Sequence, residues 1–135
     1  MNNSDQQTEI YSAVDIVTAR QRGRMLALEI GFDGADVTLI AAAISEIARN
    51  IVDHAKQGVV VMSPSHEGGK HGIKIVAKDE GPGIPNVAQA MQYGYSSRKG
   101  LGVGLPGAKW LMDEFDIVSE IGIGTTVTMK KWLAK

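Results

Sequence analysis

From Asp36 to Lys56 the residues Val37, Ile40, Ile44, Ile47, Ile51 and Ala55 recur at intervals of three and four, which lines one face of an α-helix with apolar side chains. No other stretch constrains the fold as tightly, because so continuous a stripe has to be buried against a second layer. Gly58 ends the segment, and the sequence that follows supplies that layer. VVVM at 59–62 and IKIVA at 73–77 are short β-branched runs flanking the polar SHEGGKHG, the pattern of a hairpin. A period of two puts Ile73, Ile75, Ala77 and Asp79 on one face. DIVSEI at 116–121 and TTVTMKKW at 125–132 flank a tight Gly122-Ile123-Gly124 turn and read as a second hairpin.

The remaining elements are less sharply marked. Thr8–Tyr11 reads as a short edge strand. Ser12 with Asp15 reads as the cap of a first helix that ends at Gly31 and carries Val14, Val17, Met25 and Leu28 at roughly helical spacing. Arg20, Arg22 and Arg24 make part of that helix basic, a pattern that serves solubility as readily as a partner. Val87–Gln92 can form a short helix, and a third long one is predicted near Pro106–Asp113 with Trp110 and Leu111 turned inward. Together the elements predict an α+β two-layer sandwich, with helices on one face of a mixed, largely antiparallel sheet.

Composition narrows the function classes. A chain of 135 residues is expected to form one domain. With no cysteine, disulfides, thiolate zinc sites and cysteine nucleophiles are excluded. A net charge of -1 gives no overall electrostatic footprint for nucleic acid. The longest apolar runs, such as IAAAI at 40–44, are far short of a membrane span, and MNNSDQQTE at the start is unlike a signal peptide. The expectation is a cytoplasmic protein that engages neither nucleic acid nor membrane.

Several polar features have no place in such a core. Glu46 and Asn50 lie one turn apart on the border of the isoleucine stripe. A carboxylate and an amide at that spacing suit Mg²⁺ and proton-transfer chemistry, although the same pair is common on the flank of any amphipathic helix. DEGPGIP begins at Asp79, the core-facing end of a predicted strand, and sets Gly81 and Gly83 about a proline. A half-buried carboxylate needs a hydrogen-bond donor, and the exocyclic amine of a purine is one. GLGVG at 100–104 precedes a helix, where backbone N–H groups can meet an anion, or simply form a flexible loop. It is neither a dinucleotide fingerprint nor a Walker loop. Between these stretches lies the polar, glycine-flanked YGYSSRKG at 93–100.

The order and spacing of E46-x-x-x-N50, D79-x-G81-x-G83, G100-L-G102-V-G104 and G124-T125-T126 resemble the family of ATPases and kinases that includes gyrase, sensor histidine kinases and MutL, which share the Bergerat nucleotide-binding fold. The resemblance covers essentially the whole chain. Within the family, ISEIARNIVDHA and GLGVGLPGAKWLMDEF are most similar to the small serine protein kinases of bacterial stress signalling, and next to the anti-sigma serine kinases. The resemblance implies ATP and Mg²⁺ as cofactors, with Asn50 holding the metal and Glu46 acting as general base on a serine hydroxyl. It implies that Asp79 binds the adenine amine with help from Thr125, that Gly81 and Gly83 line the base pocket, and that Gly100, Gly102 and Gly104 sit at the phosphates. Residues 84–100 would form a lid. Within it, Arg98 and Lys99 are candidates for the γ-phosphate and equally for solvent. The implied partners are STAS-domain proteins of a stressosome, which the kinase phosphorylates, and a PP2C-type phosphatase that it activates once released. Two rival readings remain open on sequence alone: a nucleotide-gated anti-sigma or partner-binding module with little catalysis, and an α+β domain whose glycines are merely turns.

Overall fold

The computed structural model describes residues 6–55, 57–84, 87, 91 and 104–134. Among them the elements run β1 (Gln6–Ile10), α1 (Ala13–Ile30), α2 (Gly34–His54), β2 (Gly58–Glu67), β3 (Lys70–Asp79), α3 (Gly104–Leu111), β4 (Glu114–Glu120) and β5 (Gly124–Trp132). The strands form one five-stranded sheet in the order β1-β2-β3-β5-β4, and every neighbouring pair is antiparallel. The predicted α+β sandwich is the observed one, with a wholly antiparallel sheet rather than a mixed one. The expected short helix at Val87–Gln92 lies almost entirely outside the described residues.

The isoleucine stripe of α2 forms the centre of the core. Ile40, Ile44, Ile47 and Ile51 are all buried, facing Val60 and Met62 of β2, Ile73 and Ile75 of β3, and Val127 and Met129 of β5 within one cluster. Burial of each isoleucine is worth about 1.5–3 kcal/mol. Asp33 caps α2, its side chain accepting from the Asp36 N–H. The β2–β3 hairpin is longer than predicted. Pairing continues to Glu67 and Lys70 and includes His66 opposite His71, so the turn is reduced to Gly68 and Gly69. Both have positive φ, as a tight two-residue hairpin turn requires.

The first helix corrects a sequence expectation. Ser12 and Asp15 do form a capping box, but Val14, Val17, Met25 and Leu28 are exposed. The buried face carries Ile16, Ala19, Gly23, Leu26 and Ala27 instead. Small residues win because α1 lies close against α2: a Cβ at Gly23 would stand 2.1 Å from Cδ1 of Ile44. Arg22 proves structural, donating to the Gln7 carbonyl and the Thr8 hydroxyl and so tying β1 to α1. A second correction concerns α3, where Trp110 is 82% exposed and Leu111 only partly covered. The helix starts earlier than predicted, and its buried residues are Leu105, Pro106, Gly107 and Ala108, with Met112 buried just beyond its end.

Two substitutions test this packing. Ile44→Ala opens a cavity between α1, α2 and the sheet and should lower unfolding free energy by about 2–5 kcal/mol. Met25→Gln, on the exposed side of α1, should change it by less than about 0.5 kcal/mol. Urea denaturation followed by circular dichroism measures both.

Candidate functional site

The site is built where the C-terminal half of α2, the end of β3 and the β4–β5 hairpin meet. Asp79 faces inward, as its parity with Ile73, Ile75 and Ala77 predicted, and is 8% exposed. The sequence had disclosed no protein donor for it, yet the fold supplies two. Its Oδ1 accepts from the Gly81 N–H at 2.9 Å and from the Thr125 N–H at 3.2 Å. Both bonds fall on the same oxygen. Among the described residues, Oδ2 has no hydrogen-bond donor, so a nearly buried carboxylate retains one unmet acceptor.

The glycines after Asp79 are required by close approach to the protein. A Cβ at Gly81 would lie 2.6 Å from Cβ of Ala55 at the end of α2, and one at Gly83 would lie 2.4 Å from the Glu120 carbonyl oxygen. The loop is therefore wedged between α2 and the β4–β5 hairpin, and further bonds fix it there. Gly122 N–H donates to the Pro82 carbonyl at 2.8 Å, and Ile84 N–H donates to Oγ of Ser119 at 2.7 Å. Ser119 also shares a 2.8 Å hydrogen bond with the Thr125 hydroxyl, its cross-strand neighbour. Thr125 thus touches Asp79 through its N–H and Ser119 through its hydroxyl. Sequence reasoning passed over Ser119, although two residues equidistant from a tight hairpin turn had to face one another.

Glu46 and Asn50 occupy the preceding turns of α2. Glu46 is 7% exposed, deeper than the border position predicted from its angle to the stripe. The extra cover comes with α3, which packs on α2 and whose first residue, Gly104, donates its N–H to Oε1 of Glu46 at 3.1 Å. Gly104 has φ 67°, a conformation that favours glycine. The other carboxylate oxygen, Oε2, lies 3.6 Å from Nη1 of Arg49. Arg49 was missed in the sequence, although a cation three residues after Glu46 on a helix shares its side. Asn50 is partly exposed and its side chain makes no hydrogen bond among the described residues. Glu46 and Ala55, the two ends of this stretch, are separated along the axis by about 13 Å at 1.5 Å per residue.

The structure therefore gathers Asp79, Gly81, Gly83 and Thr125 at one end, and Glu46, Asn50 and Gly104 at the other. Arg98, Gly100 and Gly102, and nearly all of the expected lid, lie outside the described residues.

A family model described as "Histidine kinase-like ATPase domain" matches residues 12–131. The chain belongs to the histidine kinase-like ATPase family. It is 47% identical over 131 residues to the serine/threonine-protein kinase RsbT of Bacillus subtilis, a match that covers 97% of this chain and 98% of the relative. Identity at that level along nearly all of both chains makes the enzyme class the same, a serine/threonine-protein kinase. The anti-sigma F factor of Halalkalibacterium halodurans is 37% identical over 107 residues, covering 74% of this chain and 72% of that one. Among solved structures, the RsbU and RsbW domains of a Mycobacterium tuberculosis protein superpose with a TM-score of 0.69 at 25% identity, covering 97% of this chain and 33% of that longer chain.

The hydroxyl pair at the hairpin gives a direct test. Ser119→Ala deprives the Ile84 N–H of its acceptor and the Thr125 hydroxyl of its partner, and should cost about 1–3 kcal/mol of stability. Amide exchange at Ile84 should accelerate in the same variant. Unchanged exchange would mean that the loop is held by its other contacts alone.

Proposed function

We propose that this chain is an ATP- and Mg²⁺-dependent protein kinase acting on serine in partner proteins of STAS fold, within a stressosome-like complex. On release it would activate a PP2C-type phosphatase in a pathway that controls an alternative sigma factor. The kinship with the serine/threonine-protein kinase RsbT, with anti-sigma factors and with joined RsbU and RsbW domains supports a place in partner-switching control of transcription. Among the described residues no helix is long and apolar enough to cross a membrane, and we assign the protein to the cytoplasm.

The observation that carries the nucleotide assignment is the unmet Oδ2 of Asp79. The adenine amine is a donor of the right kind for an acceptor left open in a nearly buried site. Thr125 donates its N–H to the other oxygen of the same carboxylate, and Gly81 and Gly83 bring the backbone to the same end. The phosphates would then extend along α2 toward Gly104, with Gly100, Gly102 and Arg98, which lie outside the described residues, as further phosphate contacts that the family resemblance implies.

Asn50 fits Mg²⁺ in the way such sites usually do, with one neutral oxygen from the protein and the rest of the shell from phosphate and water. Among the described residues no cluster of three or more histidine and carboxylate side chains competes for the ion. When bound, the metal neutralises phosphate charge. The chain itself positions the reactants. Glu46 takes or orients the proton of the serine hydroxyl as its oxygen attacks the γ-phosphorus and the bond to the β-phosphate oxygen breaks, leaving ADP and phosphoserine.

Three variants test the assignments. Asp79→Asn keeps the shape but sets a donor opposite the adenine amine, and should weaken Mg-ATP binding by about 1–3 kcal/mol in calorimetric titration. Asn50→Ala should lower both Mg-ATP affinity and transfer to a STAS-domain acceptor. Glu46→Ala should leave affinity nearly intact while slowing single-turnover transfer about 10²–10⁴-fold. A wild-type rate in Glu46→Ala would favour the alternative suggested by the anti-sigma relatives, a nucleotide-gated partner-binding module.

A further inference from the structure

At the far end of β3 from Asp79, about 26 Å away along the strand, His71 lies directly across from His66 of β2. The residues that close a two-residue hairpin turn, here Glu67 and Lys70, exchange the ladder hydrogen bonds. The next pair is therefore a non-hydrogen-bonded one, in which side chains approach most closely. The His71 carbonyl agrees with this parity, because it accepts from the Leu133 N–H on the side away from β2. The two imidazole rings stand edge to face with centroids 4.4 Å apart. His71 has the parity of Ile73 and Ile75, and His66 that of Val60 and Met62, so both face the helix layer. There they line a cavity of about 330 Å³ together with Leu26, Glu29 and Ile30 of α1 and with Leu133. The C-terminus of α1 carries the negative end of the helix dipole, and its last turn has no basic residue. Glu29 adds a carboxylate there instead, one that forms no ion pair among the described residues.

We infer that His66 and His71 chelate a divalent transition-metal ion of the Zn²⁺ class beside the end of α1. Imidazole nitrogens suit such an ion, whereas Mg²⁺ takes oxygen ligands, so the site differs in chemistry from the one proposed at Asn50. With Zn–N bonds of about 2.0–2.1 Å in a tetrahedral shell, two coordinated rings have their centres roughly 5 Å apart. The observed pair reaches that spacing by opening less than about 1 Å, which rotation of two exposed side chains provides. Among the described residues no third histidine or carboxylate completes a cluster with them. Water fills the remaining positions, and the cavity has room for it. Glu29 and the carbonyl end of α1 act through space, setting a negative potential that favours the cation. The apolar walls from Leu26, Ile30 and Leu133 exclude bulk water and strengthen that attraction.

The test titrates the full chain with Zn²⁺ alone, without nucleotide, by calorimetry. The wild type should bind one ion per chain, with an affinity that millimolar Mg²⁺ leaves unchanged. The double variant His66→Gln/His71→Gln should bind at least about tenfold more weakly. Glu29→Gln should weaken binding roughly twofold to fivefold, the scale of one exposed charge. His54→Gln, which alters the third histidine of the chain, should bind as the wild type does. In NMR spectra of the wild type, the ring nitrogens of His66 and His71 should shift together as Zn²⁺ is added.

Absence of binding by the wild type overturns the inference. Equal affinity in the wild type and the double variant also overturns it and leaves an adventitious ion only. So does a site lost in His54→Gln or displaced by Mg²⁺, since either result puts the ion elsewhere. Should the double variant fail to fold, the ring nitrogens of the wild type decide: no response of His66 and His71 to Zn²⁺ refutes the site, and a joint response supports it.

Discussion

A single carboxylate oxygen, Oδ1 of Asp79, joins the end of β3 and the loop that follows it to the start of β5, a stretch far along the sequence. It accepts from Gly81 in its own loop and from Thr125 at the start of β5, and hydrogen bonds to an ionised acceptor are stronger than those between neutral groups. The loop thereby drawn in seats Gly81 against Ala55 of α2 and Gly83 against the backbone of Glu120. Ser119 then receives the Ile84 N–H and pairs with the Thr125 hydroxyl. Without that junction the end of β3, the end of α2 and the tip of the β4–β5 hairpin would have no shared anchor. The two oxygens of Asp79 thus differ: Oδ1 organises the protein, and Oδ2 meets no donor among the described residues and is the acceptor proposed above for the adenine amine.

That division explains why some of the site was legible in the sequence and some was not. The inward direction of Asp79 followed from period two along β3, and the one-turn separation of Glu46 and Asn50 from the helical repeat of α2. Both are local properties of a single element. The Thr125 donor to Asp79, the cover over Glu46 and the partner of the Thr125 hydroxyl all come from other elements. They are set by how the elements meet, and periodicity within one element carries no information on that. Arg49 and Ser119 fall between the two cases, because helix spacing and hairpin register were enough to place them but gave no reason to single them out.

The misassigned face of α1 shows the same limit in the core. Val14, Val17, Met25 and Leu28 recur at roughly helical spacing in that helix, yet all four are exposed. The helix buries Ile16, Ala19, Gly23, Leu26 and Ala27 instead, three of them small, because α2 approaches so closely that a Cβ at Gly23 would collide with Ile44. Size alone is a poor guide to burial where two helices pack tightly. The α2 stripe read correctly because it faces a sheet, where large branched side chains interdigitate.

The strand order has a consequence for how the molecule is assembled. The centre of the sheet is the pairing of β3 with β5, Gly72 with Trp132 through Lys78 with Thr126, and everything from residue 80 to residue 123 lies in the loop that this pairing closes. A chain emerging from the ribosome can form α1, α2 and the β2–β3 hairpin early, but the sheet stays open on the β3 side until β5 has appeared. Closure entropy grows only slowly with loop length, by about 0.6 kcal/mol for each doubling. The intervening chain can therefore be lengthened or shortened between relatives at little thermodynamic cost, while the pairing of distant strands makes folding comparatively slow. Through the Thr125 N–H, the same late event delivers the second donor to Asp79, so the Asp79 end of the site is completed only when the sheet itself is closed.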